Sequence, residues 1–286
     1  MKIPDYNSPT ELKLFMERKG MAMQKKFGQN FLVNANARRF LIDELEIDES
    51  SVVWEVGPGL GAMTDEMLSR GASVVAFEID RGFAECLSNF FASYEQMNKF
   101  RLVQGDVLRT WRSHLEKEGQ PDRFFGNLPY NIAATIIADT ISDGLRFERA
   151  VVTVQKEVAQ RMCAKPGEDE YSSFSVLCAW AYDIKPVMDL AGGSFWPRPN
   201  VDSRAVVMRR KESFPCCQNP IHFQKILRAL FASRRKTVKN NLSAFYSNSE
   251  RAACVLEKAK INPMIRAEEL SLQQILCLSD ASSAIK

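Results

Sequence analysis

The chain has 286 residues, a formal net charge of +3, and 45% hydrophobic and 26% charged residues. That is the make-up of an ordinary globular protein with enough chain for one large core or two modest ones. No apolar run reaches the length of a membrane span. Seven scattered cysteines without C-x-x-C spacing, and only two histidines (His114 and His222), argue against a disulfide framework, a zinc site and histidine-centred catalysis.

The amino terminus carries Asp5, Glu11 and Glu17 and no apolar core, so a secretory or transit signal is not expected and the cytoplasm is. Residues 1–24 read as an extension, with 1–20 peripheral. A short helix capped by Thr10 runs through Lys19 and is ended by Gly20, and Met21 and Met23 are alternative starts. Lys25 to Leu32 is basic, polar and aromatic. Its amides, Gln29 and Asn30, suit a nucleoside or a carboxylate, with a structural turn as the alternative. Helical spacing follows over Asn36–Leu45.

From Val52 onward, strands and helices alternate. Strands are expected at Val52–Val56, Ser73–Ile79, Phe100–Val103, Asp122–Gly126 and Arg149–Val154. Helices are expected at Ala62–Arg70, Arg81–Tyr94 and Ile132–Ile141. This pattern predicts a largely parallel, doubly wound sheet, which binds ligands at the carboxyl ends of its strands. The notable residues fall at those ends. Glu55 to Gly61 reads Glu-Val-Gly-Pro-Gly-Leu-Gly, a glycine turn between a strand and a helix, with glycines at every second position rather than in the dinucleotide spacing. Glu78 ends the second strand, 21 positions after Gly57, where a carboxylate can accept hydrogen bonds from ribose hydroxyls. Asp106 follows the third strand, where it can face an adenine amine.

The fourth strand ends in Asn127-Leu128-Pro129-Tyr130. An amide oxygen, carbonyls left without strand partners beside a proline, and a flat ring are the parts needed to hold a planar amine. The structural alternative is a proline-ended strand with an asparagine cap. Further along, Trp196 to Asn240 holds eleven Lys or Arg against Asp202 and Glu212 alone. Such a segment reads as a polyanion-facing surface or as a solvated helix face. From about Pro215 the spacing of Ile226, Leu227, Leu230 and Phe231 is helical.

The alternate-glycine turn resembles that of S-adenosylmethionine-dependent methyltransferases, and Asn127 to Tyr130 resembles the N-[LI]-P-Y motif of enzymes that methylate the N6 amine of adenine. Several other stretches narrow the resemblance: Gly28 to Leu32; Gln155 to Val158 with Arg161, Pro166 and Gly167; Phe195 to Ser203; and Phe231 to Thr237 with Asn240, Asn241 and Leu242. Together they are similar to the ribosomal RNA adenine N6,N6-dimethyltransferase family, and within it to the small-subunit branch. Pro9 to Gly20 is similar to the amino-terminal helix of some bacterial members. Tyr171-Ser172-Ser173-Phe174-Ser175 departs from the family's Tyr-Gly-x-Leu-Ser, which calls the local turn into question.

The resemblance implies an α/β fold: a Rossmann-like class I methyltransferase sheet over 25–212 and a small all-helical, rRNA-binding domain over 213–286. It implies S-adenosylmethionine as methyl donor, S-adenosylhomocysteine as product, and no metal. Gln29, Asn30, Leu32, Gly57, Gly59, Glu78, Asp106 and Asn127 would hold the donor, the glycine turn lying beneath its methionine part, so an anion cradle is not expected. Asn127 with the carbonyl of Leu128 or Pro129 would bind the target amine, and Tyr130 and Phe195 would sandwich the base. Arg234, Arg235, Lys236 and Lys239 would meet rRNA phosphates. The implied substrate is two adjacent adenosines near the 3′ end of small-subunit rRNA in an immature 30S particle, and the implied enzyme is a monomer away from membranes. A large-subunit, resistance-type dimethylase and a weakly catalytic assembly factor are the alternatives.

Overall fold

A computed structural model describes residues 2–24, 28–212 and 217–284. Lys25, Lys26 and Phe27 of the amino-terminal motif, and 213–216 at the expected start of the helical domain, lie outside the described residues. Two compact units form, one from 1–137, 145–159 and 184–210, the other from 138–144, 160–183 and 211–286. The division is therefore not the single break at 212/213 read from sequence, because 138–144 and 160–183 share contacts with the carboxyl-terminal helices.

The strands are β1 (Phe31–Leu32), β2 (Val52–Val56), β3 (Ser73–Glu78), β4 (Phe100–Gln104), β5 (Arg123–Asn127), β6 (Arg149–Gln155), β7 (Tyr182–Leu190), β8 (Phe195–Trp196) and β9 (Ser203–Arg210). Seven of them form one sheet in the order β4-β3-β2-β5-β6-β9-β7. β2 to β6 are mutually parallel, and β9 runs antiparallel to β6. The central strands are near-continuous apolar runs, as a sheet covered on both faces requires. The chain moves outward from β2 through β3 to β4, then returns to place β5 on the other side of β2. The crevice between β2 and β5 is thus the switch point at which such sheets bind ligands.

The helices of this unit begin with α1 (Pro9–Arg18), α2 (Ala35–Asp43), α3 (Ala62–Ser69), α4 (Arg81–Phe90), α5 (Ala92–Gln96) and α6 (Val107–Glu118), and α7 (Ala133–Ser142) follows β5. The single helix expected over Arg81–Tyr94 is broken at Phe91, which is fully buried with its ring 5.1 Å from that of Phe100. Helix α6, not foreseen from sequence, carries His114 into the core edge-on to Trp54 and Phe77, and this burial lowers the imidazole pKa. The amino-terminal stretch is not peripheral. Leu12 and Met16, one helical turn apart on α1, are buried with Leu60, Phe83 and Cys86. Ser8, rather than Thr10, caps that helix, with Pro9 opening it.

In the second unit, α9 (Ser173–Ala181) accompanies α10 (Pro220–Leu230), α11 (Val238–Tyr246), α12 (Ser249–Lys258) and α13 (Leu272–Ser283); α8 (Lys156–Cys163) precedes them in the chain. Trp180 of α9 packs on Phe223 of α10 at 4.8 Å between ring centres. The family's glycine position, here Ser172, has extended backbone at φ −153°, and its side chain forms a capping box with Ser175. A serine is therefore accommodated without strain. Among the described residues no helix is long and apolar enough to cross a membrane.

Phe125 lies on β5 in the middle of the sheet and is 1% exposed. Phe125→Ala is expected to cost about 3–5 kcal/mol of unfolding free energy in urea titration. A cost below about 1 kcal/mol would contradict this placement of the core.

Candidate active site

At the carboxyl ends of β2, β3, β4 and β5 lies a cavity of about 290 Å³. All eight residues expected around a donor line it: Gln29, Asn30, Leu32, Gly57, Gly59, Glu78, Asp106 and Asn127. The glycine turn after β2 holds Gly57, Gly59 and Gly61 at φ of +71°, +59° and +87°, a region that side chains with a Cβ disfavour. At Gly59 a Cβ would also stand 2.8 Å from the Phe31 ring. Phe31 is held in turn by stacking on Trp196 across the β1–β8 ribbon.

Carboxyl groups line this cavity. Glu78 is 4% exposed and accepts backbone N–H bonds from Gly59 at 3.1 Å and Asp80 at 2.8 Å, so it ties β3 to the glycine turn. Burial raises its pKa to about 7 against those bonds. Glu55, 2% exposed, accepts from the Thr64 hydroxyl at 2.6 Å. Burial, opposed by that bond and reinforced by the charge of Glu78, raises its pKa to about 8. Asp106 caps α6 through Leu108 N–H at 3.0 Å. Among the described residues that line the cavity, Arg38 is the one basic side chain. Among the described lining residues, three carboxyl groups thus accompany one guanidinium, and a cationic ligand would favour their ionised forms.

The second wall is built by the end of β5. Asn127 donates from Nδ2 to the carbonyl of Asn30 at 2.7 Å, and its Oδ1 has no hydrogen-bond partner among the described residues. Leu128 N–H donates to Thr153 of β6 at 3.0 Å. The Pro129 carbonyl already accepts from Ile132 and Ala133 at the start of α7, whereas the Leu128 carbonyl accepts nothing among the described residues. Two free acceptors, Asn127 Oδ1 and Leu128 O, therefore sit on adjacent residues. Half-buried Tyr130 is pinned through its hydroxyl, 2.7 Å from Ser203 Oγ, and burial raises its pKa.

Phe195 is placed differently from a base-stacking ring. It pairs with Leu32 across the ribbon and is 4% exposed in the apolar core, while the next residue, Trp196, faces the other way onto Phe31. Alternation along a strand puts the two rings on opposite faces, and the inward one is Phe195.

In the helical unit the four expected RNA-facing cations divide. Arg234 is engaged internally, with Glu268 at 3.2 Å and the Asp169 carbonyl at 2.6 Å. Arg235 and Lys236 are exposed and Lys239 is partly so, and none of the three has a partner among the described residues. Thr237 caps α11, and Asn241 donates to the carbonyls of Leu230 and Ser233, so this motif builds the turn that carries the cations.

Sequence reasoning missed Tyr6, Leu12 and Arg38, which also line the cavity. A signal for Arg38 was present: 38, 41, 42 and 45 share one helical face, and the other three are apolar.

A family model described as ribosomal RNA adenine dimethylase matches residues 20–283. The chain is similar to ribosomal RNA small subunit methyltransferase A of Treponema denticola, 46% identical over 280 residues, covering 97% of this chain and 95% of that one. To the protein of the same description from Treponema pallidum it is 41% identical over 290 residues, with both chains fully covered. Among solved structures, a dimethyladenosine transferase from Plasmodium falciparum superposes with a TM-score of 0.72 at 26% identity, covering 86% of this chain and 94% of that one.

The buried acids make stability depend on pH. Glu55 and Glu78 keep their protons in the folded chain above pH 4.5, where the unfolded carboxylates release them, up to about pH 8 and 7 respectively. Stability is therefore greatest at the acid end of that window and falls as pH rises through it. Glu55→Gln is expected to flatten this fall, shown by urea midpoints at pH 5 and pH 8; an unchanged difference between the two midpoints would refute it.

Proposed function

Because the chain belongs to the ribosomal RNA adenine dimethylase family, we propose that it methylates the N6 amine of two adjacent adenosines near the 3′ end of small-subunit rRNA, giving N6,N6-dimethyladenosine. The donor is S-adenosylmethionine, whose sulfonium supplies an activated methyl group. The carboxylate-rich cavity supports that cationic ligand over a nicotinamide dinucleotide. In this reading Glu78 accepts from the ribose hydroxyls and Asp106 from the adenine amine, with the Gly57–Gly59 turn beneath the methionine part.

The observation that carries this reading is the pair of free acceptors on adjacent residues, Asn127 Oδ1 and Leu128 O, at the end of β5 where Asn127 and Pro129 line the donor cavity. The Asn30 carbonyl fixes the Asn127 amide so that its oxygen is the atom left for the substrate. Accepting both N6 hydrogens from two sides opposes delocalisation of the nitrogen lone pair into the ring and aims it at the methyl carbon. The new C–N bond forms as the S–C bond breaks, its electrons staying on sulfur. The proton then leaves to water, since the methylated ammonium is acidic without a general base. In this reading the Tyr130 ring, whose hydroxyl is held by Ser203, stacks on the flipped base. Phe195 supports this wall from inside the core.

An immature 30S particle in the cytoplasm is the substrate this activity implies, met by a monomer whose Arg235, Lys236 and Lys239 contact phosphates. The relatives described as small-subunit enzymes favour this over a large-subunit target.

Asn127→Ala should reduce labelled methyl transfer to undermethylated 30S particles by about 10²-fold or more while S-adenosylhomocysteine still binds. Retained turnover would sink the proposed role. Replacing Arg235, Lys236 and Lys239 together by Ala should weaken particle binding and lessen the slope of log affinity against log salt by roughly two to three. If the slope is unchanged, these cations form only a solvated helix face.

A further inference from the structure

The amino-terminal segment plays no part in the function proposed above, yet it forms one wall of the donor cavity, where Tyr6 and Leu12 stand beside Leu60 and Arg38. The Tyr6 hydroxyl donates to the Leu60 carbonyl at 2.9 Å, inside the glycine turn and between two residues of positive φ. Leu60 is 1% exposed, and its carbonyl has no other partner among the described residues. Burial raises the Tyr6 pKa far above the ordinary phenol value, so the hydroxyl remains a donor at any working pH. The next residue, Asn7, accepts from Arg38 at 2.6 Å, and the same guanidinium donates to the carbonyl of Leu32 on β1 at 2.7 Å. At the far end of the segment, Gln24 N–H donates to Gln29 Oε1 at 2.8 Å and Gln24 Nε2 to Asp80 at 2.9 Å.

Adjacent residues of one short segment thus grip the two elements between which the donor would lie. Tyr6 holds the glycine turn directly, and Asn7 holds β1 through Arg38. Leu12 and Met16 anchor the grip by packing beneath Leu60 and Phe83. We propose that Tyr6 and Arg38 are positioning residues for methyl-donor binding, and that the segment from Lys2 to Gln24 is a constituent of the donor site. Their role rests on the donor reading of that cavity. Neither side chain takes part in the transfer itself. Each fixes a backbone carbonyl, and with it the width of the cavity.

The test uses the full chain and three variants: Tyr6→Phe, Asn7→Ala, and Lys13→Ala as a control on the exposed face of α1. Calorimetric titration with S-adenosylhomocysteine gives Kd. Initial rates on undermethylated 30S particles give KM for each substrate, and melting with and without S-adenosylhomocysteine gives the ligand-induced rise in Tm. Tyr6→Phe and Asn7→Ala should each raise the Kd and the donor KM about five-fold, the loss of one hydrogen bond. They should leave the KM for the particle unchanged and diminish the Tm rise. Lys13→Ala should match the unaltered chain. If Tyr6→Phe lowers the unliganded Tm but leaves Kd and donor KM unaltered, the segment stabilises the fold only and the proposal fails. An unaltered chain that binds no S-adenosylhomocysteine would remove the donor reading and this proposal together.

Discussion

The hydrogen bond from Asn127 to the carbonyl of Asn30 joins residues 97 positions apart, and the rest of the site is arranged around it. It ties the end of β5 to the residue that precedes β1, and both residues line the cavity. It also settles the orientation of an amide that would otherwise be free to turn. One end of the side chain is consumed by the protein, and the acceptor end remains. The Leu128 carbonyl reaches the same state by another route, because its own N–H continues the sheet onto β6 while the next carbonyl along begins α7. Two free acceptors on adjacent residues are what remains there once Asn127 Nδ2, the Leu128 N–H and the Pro129 carbonyl have been used by the fold.

Charge divides the labour between the two units. In the sheet unit, acids surround the cavity and are held partly protonated by burial, so a positive ligand relieves a cost the empty site carries. In the helical unit, cations stand free on a turn whose geometry is set by Thr237 and Asn241.

The sheet and the strand-end residues were legible in sequence because each depends on local pattern. Apolar runs at Val52, Ser73 and Arg149 and the alternate glycines carry their geometry with them. What was not legible depended on contacts between distant segments. Phe195 was expected to face the substrate, but the register of a two-residue ribbon turned it inward. Arg234 stood in an unbroken row of cations, yet Glu268 and Asp169 claim it. Residues 1–20 read as peripheral in sequence because breakers surround them, and the spacing of Leu12 and Met16, which shows the buried face, spans a single turn. Helix α6 is less legible because one of its three buried positions, His114 beside Val107 and Trp111, is a residue ordinarily counted as polar.

Arg38 binds the fates of two distant positions. Its guanidinium is shielded from water and depends on Asn7 for one of its partners. Losing Asn7 alone leaves a buried charge with one ligand fewer, a costly intermediate; losing Arg38 alone leaves the amino-terminal segment without its link to β1. Substitution at either position thus passes through a valley unless both change. Lineages should accordingly keep the pair or replace it as a unit, with an apolar residue at 38 accompanying an altered segment around 7. The first two dozen residues then descend under the constraint of the fold they close, and not as a freely varying tail.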